Sequence, residues 1–437
     1  MKEFLSSNNC PCGKEHKVMV DAVVFGKNAI SKLPEFVYKY NAKKPFLLAD
    51  RNTFAAAGEK VCSVLETAGI AYKKYIFNCD ELEPNEQAVG SAVMHYDYSC
   101  DLIIGIGSGV VNDISKILSC ICGKKFIIVC TAPSMDGYVS PTSSMSLDGL
   151  KQSLNTRCAD VIIGDIDVLK NAPDRLLRSG LGDMLAKYVS IAEWRIGHLI
   201  TGEYYCEQVA DLIRQAVKKC VDNAGGLLRR DETAIEAVFE GLVLGGVAMA
   251  YAGISRPASG VEHYFSHIWD MRGLEFGTPV DLHGIQCAVG TYLAAKLYDE
   301  LKKIIPDMDK ATESVRNFSY SEWQSSLRQF LGSSAETMIS QEQREQKYNK
   351  TTHAARLHVI LKNWDSILQI LQEELPSAIE IEKILDAVGL PKDYRQLGID
   401  RDTAKMTFKV TKDIRDKYVL SRLAWDLGVL DELCDYL

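Results

Sequence analysis

The sequence predicts an α/β amino-terminal part followed by an all-α part, and two observations carry this prediction. In the first third of the 437 residues, short apolar runs alternate with stretches of helical spacing. This alternation is typical of parallel strand–helix–strand units. After residue 166 nearly every stretch has helical spacing. We therefore expect an α/β domain over residues 1–168 and an all-helical domain over residues 169–437.

The elements follow from this alternation. Strands are expected at the apolar runs 44–48, 72–77, 102–106 and 126–130. A helix is expected over residues 55–68 and a loop or hairpin over residues 132–150, which carry Pro, Ser, Gly and Asp. In the second part, helices are expected over residues 174–197, 203–222, 232–252 and 263–271, and again from residue 286 onward.

Composition excludes several classes of protein. The chain is 47% hydrophobic and 25% charged, which excludes a disordered, collagen-like or coiled-coil chain. Its net charge of −8 leaves no global basic field for nucleic acid or anionic lipid. No apolar run approaches the roughly 20 residues that span a bilayer, and the first residues lack a signal-peptide core. We therefore expect a cytoplasmic enzyme with neither nucleic-acid nor membrane partners.

A glycine-rich turn is expected between the predicted strand 102–106 and the helix that follows it. Residues 105–113 read GIGSGVVND. Glycines at such a turn let the backbone approach a pyrophosphate, and the helix N-terminus offers free N–H groups and a positive dipole. The spacing differs from the GxGxxG dinucleotide fingerprint, and a purely structural tight turn remains the alternative.

Two further segments follow predicted strands. Asp50 heads the turn DRNT after the first strand, where a carboxylate can accept hydrogen bonds from a ribose or cap a helix. Residues 131–140, TAPSMDGYVS, follow the strand 126–130. Their hydroxyls and carboxylate are expected at the carboxyl edge of the sheet, where ligands bind, although an ordinary turn uses the same residue types.

The most specific pattern combines one aspartate with three histidines. Asp183 lies in a helical run just after two glycines, which cost helix stability unless another segment comes close. His263 and His267 are four residues apart on one helix face, and the S-x-x-E run 259–262 predicts a capping box at that helix start. His283 follows in the run LHGIQ.

These residue types suit a divalent metal. Oxygen and imidazole ligands with one open position form a workable catalytic zinc site, and Ni²⁺ or Fe²⁺ is compatible with the same ligands. The alternative is a pair of unrelated histidines on a solvated face. We expect the thirteen cysteines to be reduced, to serve mainly in packing and to supply none of the catalytic ligands.

The motifs together resemble a known family. The order GxGxGxxxD, TAPSMDGYxS, GxGDxxAK, SGxEHxxSH and LHGxQ, over about residues 18–290, resembles the sn-glycerol-1-phosphate dehydrogenases, especially their bacterial AraM-like branch. These belong to the superfamily of iron-type alcohol dehydrogenases and dehydroquinate synthases. The resemblance implies a Rossmann-like nucleotide-binding domain and a metal-binding helical domain. It also implies reduction of dihydroxyacetone phosphate to sn-glycerol 1-phosphate by NAD(H) or NADP(H), with Zn²⁺ or Ni²⁺, in a homodimer that serves lipid biosynthesis.

The resemblance also assigns residues. Metal ligands would be Asp183, His263 and His283, and the substrate would be contacted by Asp136, Asp183 and His267. Asp183 and His267 would be catalytic. The cofactor would be bound by Asp50, Gly107, Ser108, Gly109, Val110, Val111, Thr131, Ser134 and Ser140. Cations for the substrate phosphate are not identifiable in the sequence; Lys187 and Arg256 are candidates.

Other functions remain possible on these residues, and two segments lie outside the motifs of the family. A glycerol or polyol dehydrogenase would share these ligands, whereas a dehydroquinate-synthase-like lyase typically has Glu at the position of Asp183. A non-catalytic nucleotide-binding regulator would not need the ligand set. Residues 316–377 are expected to be solvated helices, and an insertion is one explanation of them. The run CPCGKEH at 10–16 is interpreted as an exposed turn, because no fourth zinc ligand is apparent beside Cys10, Cys12 and His16.

Overall fold

The computed structural model describes residues 6–7, 10–79, 81–147 and 150–437. Within these residues the strands are β1 (Ser6–Ser7), β2 (His16–Lys17), β3 (Ala22–Gly26), β4 (Pro45–Asp50), β5 (Lys73–Phe77), β6 (Leu102–Gly107), β7 (Lys125–Cys130), β8 (Thr142–Leu147), β9 (Leu150–Asn155) and β10 (Val161–Asp165).

The helices of the amino-terminal half are α1 (Leu33–Lys39), α2 (Arg51–Thr53), α3 (Glu59–Thr67), α4 (Glu86–His95), α5 (Gly109–Cys122), α6 (Ile166–Leu169), α7 (Asp174–Leu185), α8 (Lys187–Thr201) and α9 (Glu207–Asn223). Those that follow are α10 (Glu232–Ala252), α11 (Val261–Phe276), α12 (His283–Leu301), α13 (Met308–Arg316), α14 (Tyr320–Leu331), α15 (Ala335–Glu345), α16 (Lys350–Lys362), α17 (Trp364–Glu374), α18 (Ala378–Val388), α19 (Arg401–Thr411), α20 (Leu420–Asp426) and α21 (Leu430–Cys434).

Six strands form one parallel sheet, in the order β3-β10-β7-β6-β4-β5. All six residues of β6 are buried, which is typical of a parallel strand covered by helices on both faces. The helix α3 covers one face with Val61 and Leu65, which pack with Leu47 and Ile104 in the hydrophobic core. The predicted strands at 44–48, 72–77, 102–106 and 126–130 are confirmed. The loop or hairpin expected over residues 132–150 is a loop followed by the antiparallel pair β8 and β9, which extends past that range to Asn155.

The chain forms two compact units. The first, here called the sheet unit, comprises Met1–Met184 and Gln215–Gly253, and the second, the helical unit, comprises Leu185–Arg214 and Ile254–Leu437. This division differs from a single boundary at residue 168. The reason is the packing of α10, whose Phe239 ring lies 5.1 Å from the Phe25 ring of β3. Residues 215–253 therefore belong with the sheet.

The helix α10 corrects the expectation that no apolar run is long enough to span a bilayer. It is 21 residues long, and its most apolar window has a mean hydropathy of 1.5, so its length and composition would allow it to cross a membrane. Core helices of globular proteins meet the same two criteria. In this structure 72% of that window is buried. The burial and the contact with β3 assign α10 to the core of the sheet unit.

The helical unit is organised around α8, which contacts α11, α12, α16 and α17. Trp194 of α8 is fully buried, and its indole N–H donates to the Tyr204 carbonyl. The segment 316–377 is not a set of solvated helices, because α14, α16 and α17 each bury an apolar face. Tyr348, between α15 and α16, packs with Phe318 and Trp425, at ring distances of 4.2 and 5.0 Å.

Candidate active site

The sheet unit brings three predicted cofactor residues to one edge. Asp50, Gly107 and Thr131 stand at or just after the carboxyl ends of β4, β6 and β7, which are neighbours in the sheet. After β5 the chain returns past β4 to form β6, so the direction of strand addition reverses between β4 and β6. In open parallel sheets such a reversal opens a crevice in which nucleotides bind. The fold therefore predicts the cofactor between Asp50 and the glycine turn.

The glycine turn joins β6 to α5. Gly107 ends the strand, Ser108 is the N-cap, and Gly109, Val110 and Val111 open the helix. The Ser108 hydroxyl makes no capping bond to α5 and instead lies 2.5 Å from the Ser134 hydroxyl. No acidic residue occupies the first turn of α5. The helix therefore presents its N–H groups and positive dipole to an anion.

Asp50 has a structural role in this geometry. One of its carboxylate oxygens accepts a hydrogen bond of 2.8 Å from the Thr53 N–H, and the Thr53 hydroxyl pairs with the Asp50 N–H. This capping box matches the helix-capping alternative. Contact between Asp50 and a ribose remains a prediction.

The loop after β7 is tied to α7. Ser134 offers its carbonyl to the Ser179 hydroxyl at 2.9 Å, and the Asp136 N–H donates to an oxygen of the Asp183 carboxylate, also at 2.9 Å. A Cβ added at Gly180 would lie 1.8 Å from the Pro133 carbonyl oxygen. The segment that comes close to the glycines before Asp183 is therefore this loop. Asp183 is fully buried, so the loop fixes its position.

The far end of the same loop is fixed by a buried lysine. Lys116 of α5 donates to the carbonyls of Gly137 and Thr142, at 2.7 and 3.0 Å, and pairs with Asp113. Ser140, a predicted cofactor residue, lies 2.8 Å from the Thr142 hydroxyl. The aspartate of the GxGxGxxxD motif therefore acts through Lys116 on the loop that carries Ser140. Sequence reasoning missed Lys116, although its spacing from Asp113 on one helix face was a usable signal.

The helical unit brings the three predicted histidines together. His263 and His267 lie on α11, and His283 opens α12. The ring centre of His263 lies 5.0 Å from that of His283 and 6.4 Å from that of His267. The helices approach closely there, because a Cβ added at Gly290 would lie 2.5 Å from the Glu262 carbonyl oxygen. The histidines form one cluster rather than a solvated face.

Two of these imidazoles are oriented as metal ligands usually are. His263 Nδ1 lies 2.8 Å from a Glu262 carboxylate oxygen, and His283 Nδ1 lies 3.1 Å from the Ser266 hydroxyl. Pairing of Nδ1 with an oxygen fixes the ring and leaves Nε2 as the ligand atom. The chemistry and orientation of this pair fit a divalent metal.

The helix start before His263 differs from the prediction. The N-cap of α11 is Gly260, whose N–H donates to Glu262, whereas Ser259 donates to the Ser255 carbonyl. The S-x-x-E capping box is therefore wrong, although the helix begins within two residues of the expected position. Glu193 of α8 takes over part of the cap by accepting the Val261 N–H at 2.9 Å. Burial, and then the Glu262 carboxylate, raise the pKa of Glu193 to about 8.

One cysteine is an exception to the packing role. Cys287 lies one turn after His283 on α12, with its sulphur 3.6 Å from His283 Nε2. Potential ligand atoms of His263, His283 and Cys287 all lie within 4.8 Å of one another. Burial raises the pKa of the Cys287 thiol, but His263 and His283 lower it by more, so that the net direction is downward. Only the four-residue spacing from His283 could have indicated this thiol.

A cation-rich cavity of about 690 Å³ also lies in the helical unit. Seven basic side chains line it: Arg256, Lys347, Arg356, Lys412, Arg415, Lys417 and Arg422. Arg256 is held by the Glu203 carboxylate and the Tyr418 carbonyl. In the described part of the chain, the Arg415 guanidinium has no recorded hydrogen bond or ion pair. Lys187 is buried at the start of α8 and is not among the cavity residues.

Comparisons with known proteins give the family. A model of the iron-containing alcohol dehydrogenase family matches residues 24–173. Glycerol-1-phosphate dehydrogenase (NAD(P)+) of Halalkalibacterium halodurans is 33% identical over 304 residues, covering 68% of this chain and 76% of that protein. The glycerol dehydrogenase structure from Schizosaccharomyces pombe has a TM-score of 0.61 at 18% identity, covering 95% of this chain and 90% of that one. These likenesses confirm the fold expected from the resemblance.

A longer relative corrects the interpretation of residues 316–377. Glycerol-1-phosphate dehydrogenase (NAD(P)+) of Geobacillus thermodenitrificans is 28% identical over 412 residues, which cover 94% of this chain and 93% of that protein. The extended carboxyl-terminal region is therefore shared with this relative and is no insertion peculiar to this chain. The chain belongs to the glycerol-1-phosphate dehydrogenase family.

Proposed function

We propose that this protein interconverts dihydroxyacetone phosphate and sn-glycerol 1-phosphate with NAD(H) or NADP(H) and one divalent metal. The observation that carries the proposal is the pair His263 and His283, whose Nδ1 atoms pair with Glu262 and Ser266 and leave both Nε2 atoms as ligands. Membership in the glycerol-1-phosphate dehydrogenase family supports the substrate and the cofactor.

Asp183, His263 and His283 would hold the metal, which is Zn²⁺ or Ni²⁺ in this proposal. When bound, the metal polarises the oxygen on C2 of the substrate, and the dinucleotide supplies or accepts the hydride at that carbon. The protein contributes rigidity to these ligands. Asp183 is fully buried and bonded to the Asp136 N–H, and the Glu262 carboxylate orients His263.

The dinucleotide would lie along the carboxyl edge of the sheet unit. The uncapped start of α5 suits its pyrophosphate, and Thr131, Ser134 and Ser140 offer hydroxyls along the same loop. Asp50 keeps one carboxylate oxygen outside its capping bond to Thr53, and this oxygen could accept from a ribose. We therefore expect NAD(H) to bind at least as well as NADP(H).

His267 would pass a proton to or from the C2 oxygen, and Asp136 would accept a hydrogen bond from a substrate hydroxyl. His267 lies one turn past His263 on the same helix, with their ring centres 6.4 Å apart. A positioned histidine suits proton transfer near neutral pH. For His267→Ala we expect a lower kcat and the loss of one limb of the pH–rate profile. Full turnover with an unchanged profile would remove this role.

The cation-rich cavity would bind the substrate phosphate. Arg415 is the cavity cation without a recorded partner in the described residues, and Lys417 is the next basic residue along the chain. For Arg415→Gln we expect KM for dihydroxyacetone phosphate to rise about 10-fold, since a hydrogen bond to a charged group contributes about 1.5–3 kcal/mol. KM for dihydroxyacetone should not change. Arg395→Gln, a surface arginine outside the cavity, is the control. Equal effects on both substrates would place the phosphate elsewhere.

The whole proposal is tested by NADH and NADPH oxidation with dihydroxyacetone phosphate, dihydroxyacetone and glycolaldehyde, before and after chelation. We expect preference for the phosphorylated ketone and loss of activity on chelation, with recovery on adding Zn²⁺ or Ni²⁺. Equal activity on dihydroxyacetone would instead indicate a polyol dehydrogenase, and dinucleotide binding without turnover would indicate a binding protein. The family relationship supports the phosphate-specific enzyme over both, and over a dehydroquinate-synthase-like lyase.

The last part of the proposal concerns location, oligomeric state and the use of the product. We propose a cytoplasmic homodimer whose product enters lipid biosynthesis. Light scattering during size-exclusion chromatography measures the mass in solution, and a monomer mass at assay concentrations would contradict the dimer.

A further inference from the structure

Three potential metal ligands that the proposed active site does not use lie together near the amino terminus. Cys10, Cys12 and His16 place potential ligand atoms within 4.8 Å of one another. We propose that these three residues bind a structural zinc ion, distinct from the metal proposed for Asp183, His263 and His283. Cysteine sulphur and imidazole nitrogen are the ligands that structural zinc prefers in proteins.

The backbone turn explains how two thiols meet. The Gly13 N–H donates to the Cys10 carbonyl at 3.1 Å, which closes a β-turn with Pro11 at its second position. Proline at this position and glycine at the fourth favour such a turn. Gly13 has a φ of +79°, which side chains disfavour. The turn thus holds the two cysteines on either side of Pro11.

The surroundings of Cys12 and His16 match those of metal ligands. The Lys14 N–H lies 3.5 Å from the Cys12 sulphur, and such N–H donors stabilise a thiolate. The Cys12 sulphur lies 3.4 Å from His16 Nε2. On the other side of the ring, His16 Nδ1 lies 3.1 Å from the Tyr251 carbonyl. The bond to a backbone carbonyl leaves Nε2 for the metal, as in established zinc sites.

Burial separates this cluster from an exposed turn with incidental thiols. Cys10 is 8% exposed and His16 is 1% exposed, and the His16 ring stacks on the Tyr251 ring at 5.0 Å. The expectation of an exposed turn is therefore wrong for two of the three donors. Since Tyr251 lies in the last turn of α10, the ion would fasten the amino-terminal segment to a core helix of the sheet unit.

The chemistry of binding gives a direct readout. A zinc ion displaces the protons of both thiols, so binding releases about two protons near neutral pH. Three protein ligands leave one tetrahedral position, for water or a further protein donor. Co²⁺ in place of zinc reports thiolate ligands through a near-ultraviolet charge-transfer band. Since the Cys287 sulphur lies 3.6 Å from His283 Nε2, the band is measured in Cys287→Ser protein, in which the proposed aspartate and histidine site has no thiolate beside it. This band distinguishes the two metals in the full-length chain.

The experiment measures zinc content, the Co²⁺ band and thermal stability in full-length protein purified without a metal-binding tag. For Cys12→Ser we expect loss of one equivalent of zinc and of the band, with a lower Tm. Cys120→Ser, an exposed cysteine on α5, should change none of these. His263→Ala should lose the other equivalent and keep the band. These two losses are independent, so the zinc site can fail while the proposed enzymatic function stands.

Exchange of His16 for another zinc ligand distinguishes loss of the metal site from misfolding of the variant. His16→Cys keeps a zinc ligand at the position and should retain the metal, whereas His16→Ala should lose it. Retention of full zinc by Cys12→Ser, or equal loss from both His16 variants, would overturn the proposal. X-ray absorption of the zinc in His263→Ala protein should find at least two sulphur ligands, and fewer would contradict the site.

Discussion

The proposed cofactor edge and the proposed metal cluster are built by different means. In the sheet unit the cofactor edge is mainly backbone: strand ends, the glycine turn and the uncapped start of α5. In the helical unit the metal cluster is made of side chains on two helices, α11 and α12, held by Glu262 and Ser266. A backbone site depends on the whole fold, whereas a side-chain site depends on single atoms.

This difference predicts a ranking of substitutions. Removing the imidazole of one histidine should remove a ligand of the proposed metal. Adding a Cβ at the glycine turn should distort the proposed dinucleotide site without removing it. Replacing the buried Lys417 should mainly change how stability depends on pH.

The largest effect is expected for His263→Ala. Loss of this ligand should lower kcat/KM by about 10³-fold or more, because a bound metal contributes several kcal/mol to charge stabilisation. NADH affinity should stay within about 3-fold, because His263 is not among the residues proposed to bind the dinucleotide. Assays with dihydroxyacetone phosphate, fluorescence titration with NADH and metal analysis measure this. His358→Ala, an exposed histidine on α16, is the matched control. Full activity of the His263 variant would refute the metal site.

A smaller effect is expected for Gly107→Ala. The added Cβ would lie 2.5 Å from the Val111 Cβ, so the first turn of α5 must shift. Overpacking of this kind costs about 1–3 kcal/mol, which corresponds to about 5–150-fold weaker NADH binding if the shift falls on the pyrophosphate site. Metal content should stay unchanged. Gly225→Ala, which meets open space, serves as the control in the same titration. Unchanged NADH affinity would argue that this turn is purely structural.

The smallest effect on catalysis is expected for Lys417, whose replacement should act on stability. Burial, and then the charges of Arg256 and Arg415, lower the pKa of Lys417 from 10.5 to about 7. Between these two values the unfolded chain holds a proton that the folded chain lacks, so the free energy of unfolding should rise with pH. One such group contributes at most about 1.4 kcal/mol per pH unit. Denaturant unfolding across this range should show a flatter profile for Lys417→Met. Parallel profiles for the two proteins would show that Lys417 keeps its proton.

Local patterns in the sequence were sufficient for much of the fold. Four strands of the sheet were predicted, three from nearly continuous apolar runs and the fourth, 72–77, from a β-rich run that also carries Lys73 and Lys74. The strands β3 and β10 were not predicted. Among the described residues β3 is a half-buried edge strand, and it pairs with β10, which lies more than 130 residues later. Its pairing is a long-range contact that no local pattern contains. The place of α10 in the sheet unit is likewise decided by tertiary packing of Phe239.

The candidate site shows the same limit. Spacing was enough to pair His263 with His267, because residues four apart share a helix face. His283 was added because it follows beside a glycine and because of the family resemblance. Spacing could not distinguish Cys287 from a packing cysteine, or identify Arg415 as a cation without a recorded partner. Those distinctions depend on where side chains from separate helices end. The same holds for His16, whose role depends on the carbonyl of Tyr251, 235 residues away.

The central claim is tested most directly by the chirality of the product. Dihydroxyacetone phosphate is reduced with NADH or NADPH by metal-replete enzyme, and the glycerol phosphate formed is analysed with an enzyme specific for the sn-glycerol 3-phosphate enantiomer and by chiral chromatography. The account predicts sn-glycerol 1-phosphate alone, with formation lost in His263→Ala. Formation of sn-glycerol 3-phosphate, or a product from dihydroxyacetone but none from its phosphate, would contradict it.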